Sequence, residues 1–93
     1  MPQENTILVG KKPPMNYVLA CLTAFHEGAD EVLIKARGMS ISKAVDVAEI
    51  VRNKFMPQAS IKEVGIGTDE VQLKEGTGTK RASSIMIRIS KTK

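Results

Sequence analysis

The chain has 93 residues, a net charge of +4 and an apolar share of 42%. That length holds one domain, residues 1–93, with a modest core, and the apolar and charged shares exclude global disorder. The positive balance points to acidic partners, with nucleic acid the first candidate. The lone Cys21 excludes an internal disulfide and fits a reducing, intracellular setting. Met1-Pro2-Gln3-Glu4 lacks the basic and apolar regions of a secretory leader, and no apolar run reaches membrane-spanning length, so a cytoplasmic chain without a membrane partner is expected.

Ile7-Leu8-Val9 is a short apolar run ended by Gly10 and predicts the first strand. Pro14 suits the first turn of a helix, where its missing N–H is no loss. Met15, Val18, Leu19, Leu22 and Phe25 then recur at helical spacing as far as Gly28, which can close the helix. Val32, Leu33 and Ile34 within Glu31–Arg37 predict the second strand, broken by Gly38. Ser40 is the expected N-cap of a second helix reaching Phe55. Its apolar stripe is Ile41, Ala44, Val45, Ala48, Val51 and Phe55, with Val47 and Ile50 beside it. That is more apolar surface than one sheet face needs, which suggests a partner subunit. Pro57 ends the helix, Ile61–Thr68 predicts the third strand and Ser83–Ser90 the fourth. In the last, Ile85, Ile87 and Ile89 alternate with Met86, Arg88 and Ser90. The stretch Asp69–Ala82 is polar, glycine-containing and basic at its end, and is expected to form a protruding flexible tip.

The order β-α-β-α-β-β predicts an α/β two-layer sandwich, with two helices against a four-stranded mixed sheet and a long protruding hairpin between the last two strands. Helical crossovers make the first three strands parallel to one another.

Lys11 and Lys12 lie on the short, proline-stiffened connector between the first strand and the first helix, and no acid occurs from Asn5 to His26. The neighbouring helix N-terminus also favours an anion. The bland alternative is two solvated lysines on a loop. Asn16 and Tyr17 follow within one turn, and Tyr17, the only tyrosine, could lie on a sugar or base, donate to a phosphate, or simply pack. Lys35 and Arg37 share one face of the second strand. If the strands are parallel, their exit lies at the same sheet end as Lys11 and Lys12, where α/β folds place ligands. On the arm, Lys74, Lys80 and Arg81 could reach into a groove, although Asp69, Glu70 and Glu75 dilute that case. There is no phosphate loop and no dinucleotide fingerprint. His26 and Cys21 alone make neither a zinc site nor a catalytic set. No cofactor and no metal are expected, and Cys21 reads as a small buried apolar residue.

The strings Leu8-Val9-Gly10-Lys11-Lys12-Pro13, Met15-Asn16-Tyr17-Val18, Ile34-Lys35-Ala36-Arg37-Gly38, Ile41-Ser42-Lys43-Ala44-Val45-Asp46 and Ile50-Val51-Arg52-Asn53-Lys54-Phe55 closely resemble the Alba family of small basic archaeal chromatin proteins that bind DNA and RNA. The resemblance runs from about Asn5 to Lys91. It implies a homodimer that binds duplex DNA with little sequence preference, its two hairpin arms following the minor groove. It makes Lys11 and Lys12 the central DNA-contacting lysines and Lys11 the acetylation position. Asn16, Tyr17 and Arg37 match the binding face, and Phe55 matches the aromatic that packs between neighbouring dimers. The chain departs at Met39, where many members carry a second basic residue, at Pro14, and at the arm tip, whose sequence varies across the family.

Residues and resemblance together give the expectation of a non-catalytic, chromosome-associated protein. It would coat and compact double-stranded DNA as a dimer through Lys11, Lys12, Asn16, Tyr17, Lys35, Arg37, Lys80 and Arg81, binding RNA as well. A paralogue is an admissible second subunit. The rival readings are a protein acting chiefly on structured RNA, an enzyme on the same fold, and a purely structural oligomerisation module.

Overall fold

The computed structural model describes residues 5–73, 76 and 78–92. Along the chain run β1 (Asn5–Leu8), α1 (Pro14–His26), β2 (Glu31–Arg37), a 3-10 turn (Gly38–Ser40), α2 (Ile41–Ile50), a π turn (Val51–Phe55), β3 (Ser60–Gln72) and β4 (Thr79–Ser90). The order is the expected one, and the sheet reads β1-β2-β4-β3 across. β1 pairs parallel with β2, and β4 pairs antiparallel with both β2 and β3. β1, β2 and β3 therefore share a direction, as the crossovers require, and β4 enters between β2 and β3. The centre suits β4 because its isoleucines at 85, 87 and 89 present a strictly alternating apolar edge.

Both helices cover the same sheet face. Val32, Ile34 and Ala36 of β2 and Ile87 and Ile89 of β4 pack against Val18, Cys21, Ala24 and Phe25 of α1 and Ala44, Val47, Ala48 and Val51 of α2. The helical stripes are narrower than the spacing alone predicts. Met15 and Leu19 of α1 are exposed, as is Val45 of α2, whereas Val47 is fully buried. A helix lying on a sheet buries about one side of its circumference, so residues at the edge of a wide apolar arc stay wet.

The second helix corrects the expected stripe at its end. The Met56 N–H donates to the Val51 carbonyl five residues back, 2.8 Å away, which widens the last turn. The extra residue rotates Phe55 outward, to 48% exposure, and brings Met56 into the buried position at 9%. Ser40 does precede α2, but its side chain makes no capping bond. The chain enters α2 through the 3-10 turn, so Ser40 already has φ −86° and ψ −4° instead of the extended backbone a side-chain cap requires.

The arm is also more ordered than expected over the described residues. β3 and β4 stay paired as far as Gln72 opposite Thr79, and the Leu73 N–H donates to the Gly78 carbonyl (3.2 Å) beyond them. β2 accompanies β4 only to Ser84, so the outer ladder is a two-stranded ribbon wet on both faces. With no face to bury, it carries no apolar alternation that sequence could reveal. Lys74 and Glu75 lie outside the described residues.

Val18 and Leu19 are chain neighbours that share the helical spacing but not the environment. Val18→Ala is expected to lower the unfolding free energy by about 2 kcal/mol, because the removed methyl groups are fully buried and leave a residual cavity. Leu19→Ala should stay within about 0.5 kcal/mol. Urea titrations of the two variants check this; equal losses would contradict the burial described.

Candidate nucleic-acid interface

Parallel pairing brings the exits of β1 and β2 to one end of the sheet. The pairing extends one step past β1, where the Val9 N–H donates to the Lys35 carbonyl (2.8 Å). The connector to α1 is then tied on both sides. The Tyr17 hydroxyl accepts from the N–H groups of Gly10 (2.9 Å) and Lys12 (3.1 Å). The Lys43 ammonium, on the first turn of α2, donates to the carbonyls of Gly10 and Lys12, each 2.8 Å away. The backbone on either side of Lys11 is thus fixed, and the rings of Pro13 and Pro14 restrict the entry into α1. The side chains of Lys11 and Lys12 project from this immobilised loop, both exposed. α1 begins beside them with no acid in its first turn and no side-chain cap, and the exposed Asn16 lies on that turn.

Lys35 and Arg37 are both exposed on the sheet face that the helices leave uncovered. With Lys11 they border a single concavity of about 710 Å³. Lys12 is not part of its wall, so the expected convergence holds for Lys11, Lys35 and Arg37. Among the described residues, none of these three cations is in an ion pair. In the other half of the same face the charge of Arg88 is not free, because it bridges two carboxylates, Glu31 (3.0 Å) and Glu63 (3.1 Å). The open face is therefore positive at the loop end, while the Arg88 triad leaves the other end slightly negative. Gly38, at φ 57°, turns the chain sharply out of β2 and leaves Met39 wholly exposed at the rim.

The Alba family model matches residues 5–68. The DNA/RNA-binding protein Alba 1 of Archaeoglobus fulgidus is 52% identical over 84 residues, covering 90% of this chain and 94% of that protein. The DNA/RNA-binding protein Alba of Thermoplasma volcanium is 52% identical over 91 residues, covering 98% and 100%. The solved structure of Alba from Thermoplasma volcanium superposes with a TM-score of 0.87 over 92% of this chain and 99% of that one. The chain belongs to the Alba family. The expected fold class, two helices against a four-stranded mixed sheet, is the Alba fold.

In this Alba chain the arm cations separate. Lys80 pairs across from Val71 and belongs to the face of Lys35 and Arg37, whereas Arg81 stands on the opposite face, across from Glu70. Neighbours in a strand point apart, so the two were never one patch. Cys21 is buried, and burial pushes its thiol up to about 12, which leaves no thiolate at neutral pH. Sequence reasoning missed Lys43, whose acceptors lie more than thirty residues upstream. One signal was available: a lysine in the first turn of a helix opposes the helix dipole and implies an acceptor elsewhere.

Desolvation raises the pKa of the Tyr17 hydroxyl. The N–H groups of Lys12 and Gly10 and the charges of Lys43 and Lys12 together outweigh it and set the group below the ordinary 10.0. With one tyrosine and no tryptophan in the chain, phenolate absorbance reports this group directly. Its midpoint is expected below 10.0, and Lys43→Met should move it upward. A midpoint unchanged by that substitution would detach Lys43 from the clamp.

Proposed function

We propose that this Alba chain binds double-stranded DNA without sequence preference as a homodimer, coats and compacts the chromosome in the cytoplasm, and also binds RNA. The carrying observation is the group of cations, Lys11, Lys35 and Arg37, without an ion pair among the described residues and gathered at one sheet end beside an immobilised loop. The relatives' names, DNA/RNA-binding protein Alba, support the same partners. The family is a nucleic-acid-binding and non-enzymatic one, and no group of three or more metal-ligating side chains occurs among the described residues.

Lysines that replace condensed counterions on phosphates give affinity without a base code. Lys12 and Lys80 extend the contact, Asn16 and the Tyr17 hydroxyl proton add donors to phosphate, and Arg81 acts from the other face of the ribbon. Acetylation of Lys11 would remove one of the central charges. Phe55, held outward by the π turn, supports contact between neighbouring dimers. The dimer is supported by apolar side chains on the helix side of β3 that no helix covers: Val64 is 56% and Ile66 85% exposed.

Fluorescence anisotropy of an arbitrary DNA duplex across a salt series tests the reading. For about six phosphates neutralised per dimer, log K against log salt should slope near −5. Lys11→Ala should flatten the slope by about two units, since each subunit then neutralises one phosphate fewer. An unchanged slope removes Lys11 from the interface, and efficient displacement by an equal-length RNA duplex moves the main function to RNA. For the dimer, Val64→Asp should give a monomer mass by light scattering at concentrations where the parent is dimeric; an undiminished mass places the subunit contact elsewhere.

A further inference from the structure

The concavity beside Lys11 is larger than phosphate contacts require. At about 710 Å³ it has the size of a small-molecule site. Its walls are chemically unlike. Lys11, Lys35 and Arg37 form the cationic side, Met86 of the central strand β4 lies next, and Gly65 and Gly67 of β3 complete it, with Asp69 at the arm end. The register places Lys35, Met86 and Gly65 in one row across the open face, and Arg37, Ser84 and Gly67 in the next.

The fold does not require those two glycines. Neither has a positive φ. A Cβ at Gly65 would meet only the Met86 methyl, at 3.4 Å, and one at Gly67 only the Ser84 hydroxyl, at 3.3 Å, both movable ends of side chains. Glycine weakens a strand and commonly marks a close approach by something else. Here both missing side chains would have stood in the concavity.

We infer that this concavity receives an unpaired nucleotide, a base displaced from or absent in the duplex stack. The phosphate lies against Lys35 and Arg37, with Lys11 above. The base lies flat over Met86 toward the glycines, where a polarizable thioether suits an aromatic ring. Asp69 repels phosphate from the far end and accepts from an exocyclic amino group, which favours cytosine, adenine or guanine over thymine or uracil. The inference rests on the nucleic-acid reading above and adds a preference for bulged or frayed strands over perfect duplex.

The test is anisotropy with two equal-length duplexes, one perfect and one with a single bulged cytidine, each made in DNA and in RNA to show which strand supplies the nucleotide. The bulged form is expected to bind about tenfold tighter, in keeping with one base stacked on the protein. Gly65→Val should abolish that advantage while leaving the perfect duplex and the thermal midpoint unchanged. Asp69→Asn should shrink the preference for a cytidine bulge over a thymidine (or uridine) bulge without altering the fold. Equal affinity for bulged and perfect duplexes in both chemistries, or an advantage that survives Gly65→Val, overturns the inference and leaves duplex binding standing. Failure to bind either duplex at low salt overturns the nucleic-acid reading and this inference together.

Discussion

A chain of 93 residues has enough apolar side chains to cover one face of its sheet, and this one places both helices there. Everything functional depends on that one-sided burial. The helix-covered face takes the isoleucines of β4 and Val32, Ile34 and Ala36 of β2. The alternate residues of the same strands, Lys35, Arg37, Met86 and Arg88, are turned to the uncovered face by the two-residue period of the strand. Parallel pairing of β1 with β2 then fixes which end of that face receives the β1 exit, and the Tyr17 and Lys43 contacts hold the Lys11 loop there, beside Lys35 and Arg37.

The loop that carries Lys11 shows how a charged surface can be rigid. Exposed lysines normally hold their positions poorly, because long side chains lose entropy when fixed. Here the side chain of Lys11 is exposed while the backbone on either side of it is held by Tyr17 and Lys43. One tyrosine oxygen satisfies two N–H groups and one ammonium satisfies two carbonyls, so the turn needs little secondary structure of its own. Lys43 also adds positive potential beneath the loop, because among the described residues its ammonium bonds to neutral carbonyls and to no carboxylate. The order is in the support, and the charge is presented to solvent at the tip.

Fold order was legible because each element has a local signal: Gly10, Gly38 and Pro57 break the chain, and β4 alternates cleanly. β2 is bounded as its apolar run and Gly38 imply. The family strings around Lys11, Arg37 and Ile41 were equally readable. What escaped was set by tertiary or non-local geometry. Phe55 sits four residues after Val51 and reads as buried, and only the π turn exchanges it for Met56. Leu19 and Val45 carry apolar side chains at the edge of an arc whose buried width depends on the sheet below. The outer ladder of β3 and β4 has no buried face, so no periodicity marks it. Lys43 finds its acceptors across the fold, and the small size of Gly65 acquires meaning only when β2 and β4 place Lys35 and Met86 in its row.

The long hairpin has a consequence for the timescales within a single strand. Inner β4, at Ile87 and Ile89, is flanked by strands on both sides and roofed by helices, so its amides are released only when the domain unfolds. Outer β4, beyond Ser84, has one neighbour and no roof, and a ribbon of that kind is marginal alone in water. Its amides exchange through local opening. One continuous strand thus spans nearly the whole range of opening free energies that the molecule has. Its base is anchored in the core, while its outer half rests on a single ladder whose opening leaves the buried contacts of the core in place.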